Sequence, residues 1–410
     1  MAQFDRAASP PAAGPAGRSR VGIGGLVFRR LIKDLRHGQL TVVLPNGEAV
    51  TKRGTEDGPD ATIVLRRWGA LRKLVMSGDL GAAEGYIDGD WITPNLTAVI
   101  RLAVTNADVL ATALSGTRIA RTLGRIRHIL NANTRQGSRR NIEAHYDLGN
   151  EFYKQWLDGS MLYSSALFED ATQTLEAAQQ NRIRRIRKKL GVVDGHRVLE
   201  VGCGWGALAL ELASYSNAHL VGLTLSPSQL EWAQGLVAAA GKASQVELRI
   251  QDYRDVDGKF DRIVSIEMFE AVGEAYWPDY FAMIKRCMTS GGRTLLQVIS
   301  IEERRFDDYR SGIDFIQRYI FPGGFLPSDE ALRGAVERAG LKLTEVEHFG
   351  KSYARTLRDW RTRFVANWPA IASLGFDETF KRLWNYYLCY CEAGFEEESI
   401  NVGLYTIEHA

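Results

Sequence analysis

The pattern of hydrophobic and polar positions changes at His196. From there on, short apolar runs alternate with helix-like segments. His196 to Gly202, His219 to Leu225, Val246 to Gln251, Phe260 to Ile266 and Thr294 to Ser300 read as buried strands. Such alternation predicts an α/β fold with a doubly wound parallel sheet. Leu341 to Phe349 and Leu404 to Glu408 add two strands, and the Trp- and Tyr-rich stretch from Leu357 to Phe395 between them reads as helical. The expectation is a seven-stranded sheet with a helical insertion late in the fold.

Upstream, Gln39 to Leu44 and Ala61 to Leu65 are β-rich, and Pro45-Asn46-Gly47 and Glu56-Asp57-Gly58-Pro59 between them read as turns. The predicted organisation is a disordered lead-in over 1–20, a small α+β module over 21–106, a basic helix and linker over 107–140, and the main domain over 141–410. A chain of 410 residues has room for two cores.

Composition narrows the class. Apolar residues make up 45% and charged residues 24%, which excludes a disordered or collagen-like chain as the main description. Every apolar run is interrupted by charge before it reaches the roughly 18 residues of a spanning helix. Membrane contact is therefore expected to be peripheral. Met1 to Arg20 lacks the apolar stretch of a signal peptide, so a cytoplasmic location on the inner face of the membrane is expected. Four cysteines suggest no disulfide framework, the histidines show no metal-ligand spacing, and no metal is expected.

The formal charge is only +2, but the cations are clustered: Arg118 to Arg140 holds seven arginines and no acid, and Asn181 to Leu190 is rich in Arg and Lys. Either segment is a candidate for an anionic membrane surface, with a solvated helix face as the plainer reading. Aromatic residues are not interleaved with these charges, which disfavours nucleic acid.

Candidate chemistry begins at Val198 to Gly206, where a strand runs directly into a Gly-x-Gly-x-Gly turn formed by Gly202, Gly204 and Gly206. Glycines permit the sharp turn and the close approach of a ligand. The tight spacing, the acidic Glu200 within the strand, and two later strand-end segments favour a nucleoside carrying a sulfonium over a pyrophosphate. Those segments are Thr224 to Gln229 and Gln251-Asp252-Tyr253, both expected beyond the carboxyl ends of their strands.

The sequence resembles the cyclopropane-fatty-acyl-phospholipid synthases and the related mycolic acid methyltransferases. The resemblance spans about Asn141 to the C-terminus, with a weaker match at Gly78 to Trp91. It is carried by His145 to Asn150, Met161 to Ser165, Val201 to Gly206, Gly222 to Ser226, Gln251 to Asp255, Met268-Phe269-Glu270, Arg318 to Pro322, and Tyr386 to Cys391. It implies a Rossmann-like seven-stranded methyltransferase sheet, S-adenosylmethionine (SAM) as co-substrate, and the double bond of an unsaturated phospholipid acyl chain as acceptor. On this resemblance the α+β module over 21–106 is expected to be lipid-docking, and 141–410 to be the SAM-dependent methyltransferase domain.

By the same resemblance, Tyr146, Gly202, Gly204 and Gln229 contact SAM, joined by Gly206, Thr224, Asp252 and Tyr253 from the strand-end reading. Cys391 maps to a cysteine treated as active-site in the family, although an alkene is itself the nucleophile and no covalent intermediate is required. Aromatic faces, among them Tyr163, Phe269, Trp277, Tyr319, Phe321 and Tyr353, are candidates for lining the carbocation.

In ring-forming members the resemblance implies a bound bicarbonate as base, held by Cys, Glu, His and Tyr. Here Glu270 and Tyr353 match, whereas Ser165 and Gln297 stand in place of Cys and His, and Ala271 replaces the His after Glu270. Ser and Gln still hydrogen-bond an anion, but a titratable imidazole is lost. Methyl transfer to an acyl alkene is expected, with either ring closure or a methyl-branched alkene as the outcome. A soluble small-molecule methyltransferase and a non-catalytic lipid carrier are the competing readings. A homodimer is compatible with the sequence.

Overall fold

The computed structural model describes residues 32–113 and 148–410. The chain forms two compact units, Met1–Arg125 with Leu357–Glu397, and Ile126–Thr356 with Glu398–Ala410.

In the first unit, β1 (His37–Val43), β2 (Ala49–Arg53), β3 (Glu56–Leu65) and β4 (Trp91–Ile92) form a sheet in the order β2-β1-β3-β4. The Pro45-Asn46-Gly47 turn closes the antiparallel β1–β2 hairpin, and Leu44 N donates to Glu48 O at 2.8 Å. The second expected turn, Glu56 to Pro59, instead opens β3. The register slips between His37 and Gln39, which accommodates Pro59, a residue without an N–H, at the irregularity. β2 went unpredicted because only Val50 among its five residues is buried, so its alternation is weak.

The late helical stretch belongs to this first unit and not to the sheet domain expected over 141–410. The helix Glu378–Glu396 supplies the reason. Its Tyr386 ring packs 5.8 Å from Tyr86, and Asn385 Nδ2 donates to Tyr86 Oη at 2.9 Å. Its buried Glu392 accepts from Thr97 Oγ1 at 3.1 Å and is paired by Arg358 and Arg361.

The second unit holds the expected seven-stranded sheet, in the order β10-β11-β9-β8-β5-β6-β7. The strands are β5 (Arg197–Val201), β6 (His219–Thr224), β7 (Val246–Ile250), β8 (Phe260–Ile266), β9 (Met288–Ile301), β10 (Leu341–His348) and β11 (Ile400–His409). The pairs from β9 through β8, β5 and β6 to β7 are parallel, and β11 runs antiparallel to both β9 and β10. Apolar clusters cover both faces: Phe281, Ile284 and Leu332 lie in one, and Ile183, Ile186, Leu208 and Leu212 in the other. Burial on both faces explains why these strands read as continuous apolar runs.

From β5 the chain winds outward through β6 to β7, then returns to place β8 on the other side of β5. The strand order therefore reverses between β5 and β8, and ligands in such sheets bind beyond the carboxyl ends at that point.

The helix Leu175–Leu190 carries one of the two basic clusters, and its cations are mostly engaged within the protein. Arg182 is buried, Arg185 and Lys189 pair with Glu347, and Arg187 stacks 3.6 Å over Tyr215. Most of this segment's cations are thus committed to contacts within the protein, with Arg184 and Lys188 exposed. The other cluster, Arg118 to Arg140, lies outside the described residues.

Candidate active site

Val201 ends β5, and the backbone turns through Gly202, Gly204 and Gly206 with φ of 82°, 52° and 85°. Gly202 N and Cys203 N both donate to Leu223 O, which ties the turn to β6. A Cβ on Gly206 would meet Ala233 Cβ at 2.8 Å, so only glycine lets the helix Pro227–Ala239 pack there. Around Gly204 the space is open to 4 Å.

Glu200 sits beneath this turn, fully buried, with Oε2 unpartnered. Burial pushes its carboxyl up to about 8, opposed by the nearby Arg182 cation. Open backbone above and an unsatisfied acceptor below fit a ligand that brings polar hydrogens.

Thr224 and Gln229 are both buried and bonded to each other, Oγ1 to Oε1, at 2.9 Å. Asp252 is engaged by Arg254 at 2.6 Å, and Tyr253 packs edge-on against Tyr280 with its hydroxyl pushed up to about 12 by burial. Tyr146 lies outside the described residues.

Around the end of β8, residues distant in sequence converge on one carboxylate, that of Glu267. Ser165 N donates to its Oε1 at 2.9 Å, Gln297 Nε2 donates to the same oxygen at 2.6 Å, and Tyr353 Oη donates to Oε2 at 2.5 Å. Arg182 Nη1 lies 3.4 Å from Gln297 Oε1, which turns the amide's NH₂ toward Glu267. Glu267 itself has φ of 49°, a left-handed conformation that costs a non-glycine residue about 1–2 kcal/mol. Strain of this kind persists where the surroundings over-determine it, often at functional sites.

The family resemblance groups Glu270 with Ser165, Gln297 and Tyr353 around a bicarbonate. In the structure Ser165, Gln297 and Tyr353 instead meet at Glu267, three residues earlier in the chain. Glu270 Oε1 accepts from Ile299 N at 2.6 Å, and its buried Oε2 has no partner. Burial, reinforced by the charge of Glu267, lifts its carboxyl to about 8. Burial also raises Glu267, but hydrogen bonds from Tyr353, Ser165 and Gln297 and the Arg182 charge all oppose that rise. Glu267 thus has hydrogen bonds and a cation that favour its charged form, whereas Glu270 has no cation beside it among the described residues and is kept neutral near pH 7.

Glu267 and Arg182 were the residues missed. The available signal was a second carboxylate at the end of an apolar strand, three residues before Glu270. Phe269 and Trp277, offered as cation-lining faces, stack on each other with centroids 5.3 Å apart inside the sheet's core cluster. Cys391 lies in the first unit, half-buried on the helix Glu378–Glu396.

A reversed-order sheet with a Gly-x-Gly-x-Gly turn at its switch point and a buried carboxyl beneath it is the frame of a SAM-dependent methyltransferase, with SAM as co-substrate. The sequence model of the mycolic acid cyclopropane synthetase family matches residues 133–404, and the chain belongs to that family. It is 37% identical over 409 residues to the tuberculostearic acid methyltransferase UfaA1 of Mycobacterium tuberculosis, covering 96% of this chain and 93% of that one. It is 35% identical over 343 residues to the cyclopropane-fatty-acyl-phospholipid synthase of Escherichia coli, covering 81% and 84%. The crystal structure of the mycolic acid cyclopropane synthase CmaA1 complexed with SAH and CTAB superposes with a TM-score of 0.62 at 32% identity, covering 66% of this chain and 97% of that one.

Proposed function

We propose that this methyltransferase adds the SAM methyl group to the double bond of an unsaturated fatty-acyl chain of a membrane phospholipid, and that the product is a methyl-branched unsaturated chain rather than a ring. One observation carries the reading: the residues at the positions where the family resemblance implies bicarbonate ligands, Ser165, Gln297 and Tyr353, converge on the chain's own Glu267 carboxylate. The base is thereby built into the fold, and a bound bicarbonate is not required.

The sulfonium supplies an electrophilic methyl. As the alkene π pair forms the new C–C bond, the C–S bond breaks and the neighbouring carbon becomes a cation. Glu267 Oε then takes a proton from a chain carbon, and the released pair re-forms a double bond. Arg182, Gln297 and Tyr353 hold the carboxylate in place, and the buried Ser165, Gln297, Arg182 and Tyr353 around it limit the water that could quench the cation. Gly202, Gly204, Gly206, Thr224 and Gln229 shape the donor site, with Tyr146, Asp252 and Tyr253 as further contacts. Neutral Glu270 supports the strand end through Ile299 N.

The name of the relative that aligns almost end to end, a tuberculostearic acid methyltransferase, supports methylation without ring closure. The phospholipid acceptor is supported by the cyclopropane-fatty-acyl-phospholipid synthase relative. Among the described residues no helix is long and apolar enough to cross a membrane, so access to a bilayer would be from its surface.

The test is incubation of the protein with labelled SAM and vesicles of unsaturated phospholipid, followed by mass and proton NMR analysis of the released acyl chains. The expected product has gained one CH₂ and kept an alkene. Upfield ring protons with no alkene would overturn the branching claim, and label absent from the acyl chains would overturn the lipid reading.

A further inference from the structure

The engagement of the Leu175–Leu190 cations leaves open which surface meets phospholipid, and the first unit supplies one. A cleft of about 550 Å³ is lined there by Arg67, Arg72, Lys73 and Arg382, with Asp88 and Asp90 as its acids. Asp90, buried, anchors two of the cations, Lys73 at 2.8 Å and Arg67 at 3.2 Å, and Lys73 also bonds Asp88. The guanidinium groups of Arg72 and Arg382 make no ion pair or hydrogen bond to any described residue. Gly89 permits the close approach of Arg382, since a Cβ there would meet Nη1 at 2.4 Å. Four cations against two acids leave the cleft positive, with two guanidinium groups held ready for an anion.

The adjoining helix face says which anion. Trp68, Arg72, Val75 and Met76 are spaced i, i+4, i+7 and i+8 on the helix Gly69–Ile87, so they share one side. Trp68, Val75 and Met76 are 44%, 41% and 61% exposed, three of the seven large hydrophobic residues exposed among those described. Tryptophan and long apolar side chains beside arginine suit the boundary between headgroups and acyl chains. A soluble phosphate ligand would give no reason for that greasy rim.

We propose that this face lies on the phospholipid bilayer and that the cleft between Arg72 and Arg382 receives a headgroup phosphate. The inference rests on the reading of the substrate as a membrane phospholipid.

Flotation of the full chain with phosphatidylglycerol-containing vesicles tests it. Loss of each free cation is expected to weaken binding about fivefold, so R72A/R382A should bind roughly 25-fold more weakly and with a shallower salt dependence. W68S/M76S should also bind more weakly, with its salt dependence unchanged. K188A, which removes an exposed cation from the second unit, should float like wild type. Melting temperature and SAM affinity, both unchanged in each variant, show that the fold is intact.

Wild-type flotation by both double variants would overturn the proposal, as would an equal loss in K188A. So would wild-type protein that binds glycerol 3-phosphate but no vesicles. Methylation by the wild-type protein is scored in parallel. If the variants float normally while lipid is methylated, the docking face falls and the functional reading stands. If docking follows the prediction but no acyl chain is methylated, the reverse holds.

Discussion

The carboxyl ends of β5 and β8 flank the same switch point but are built by different means. At β5 the work is done by backbone: three alternate positive-φ glycines, tied to β6, leave open space over Gly204. At β8 it is done by side chains, with Ser165, Gln297, Tyr353 and Arg182 arriving from four separate segments to fix one carboxylate. The first region can hold a cofactor common to many reactions, whereas in the proposed reaction the second selects which proton leaves.

Substitutions at the two ends should separate these roles. Glu267→Gln keeps the shape but not the base, and turnover is expected to fall by about 10²- to 10⁴-fold with SAM affinity, measured by calorimetry, unchanged. Tyr353→Phe removes one hydrogen bond to the charged form, a loss of roughly 10-fold or more in turnover. Because that bond lowers the Glu267 pKa, the acidic limb of the rate profile should also move to higher pH, a shift that a merely structural role would not produce.

Gly206→Ala acts at the other end. The left-handed backbone and the contact with Ala233 should cost at least about 1–2 kcal/mol, read as a lower melting temperature together with weaker SAM binding.

The smallest expected effect is on stability against pH. Glu270 has its folded-state pKa raised to about 8 from an ordinary 4.5, so its stabilising contribution is complete below 4.5 and is lost as pH rises through 8. Glu270→Gln should flatten the decline in melting temperature over that range. An unchanged slope would show that Glu270 is not the neutral member of the pair.

The same contrast explains what the sequence made legible. A strand, a glycine turn and a helix are contiguous, and burial on both faces leaves an apolar run, so β5 through β9 and the cofactor turn could be placed from local pattern. Convergence is not a local property. Glu267 is followed three residues later by Glu270, and nothing in the linear order says which of the two Tyr353 will reach. Arg182 sits among other cations in an apparently solvated run, and only packing shows it to be buried beside Gln297. The assignment of Leu357–Glu397 to the first unit likewise depends on long-range partners such as Tyr86 and Thr97.

The central claim is that the protein carries its own base. Turnover in buffer stripped of carbon dioxide, compared with the same assay after bicarbonate is restored, tests this most directly. Equal rates in wild type, with both near zero in Glu267→Gln, are the predicted result. A wild-type rate that collapses without bicarbonate and recovers on its addition would contradict it.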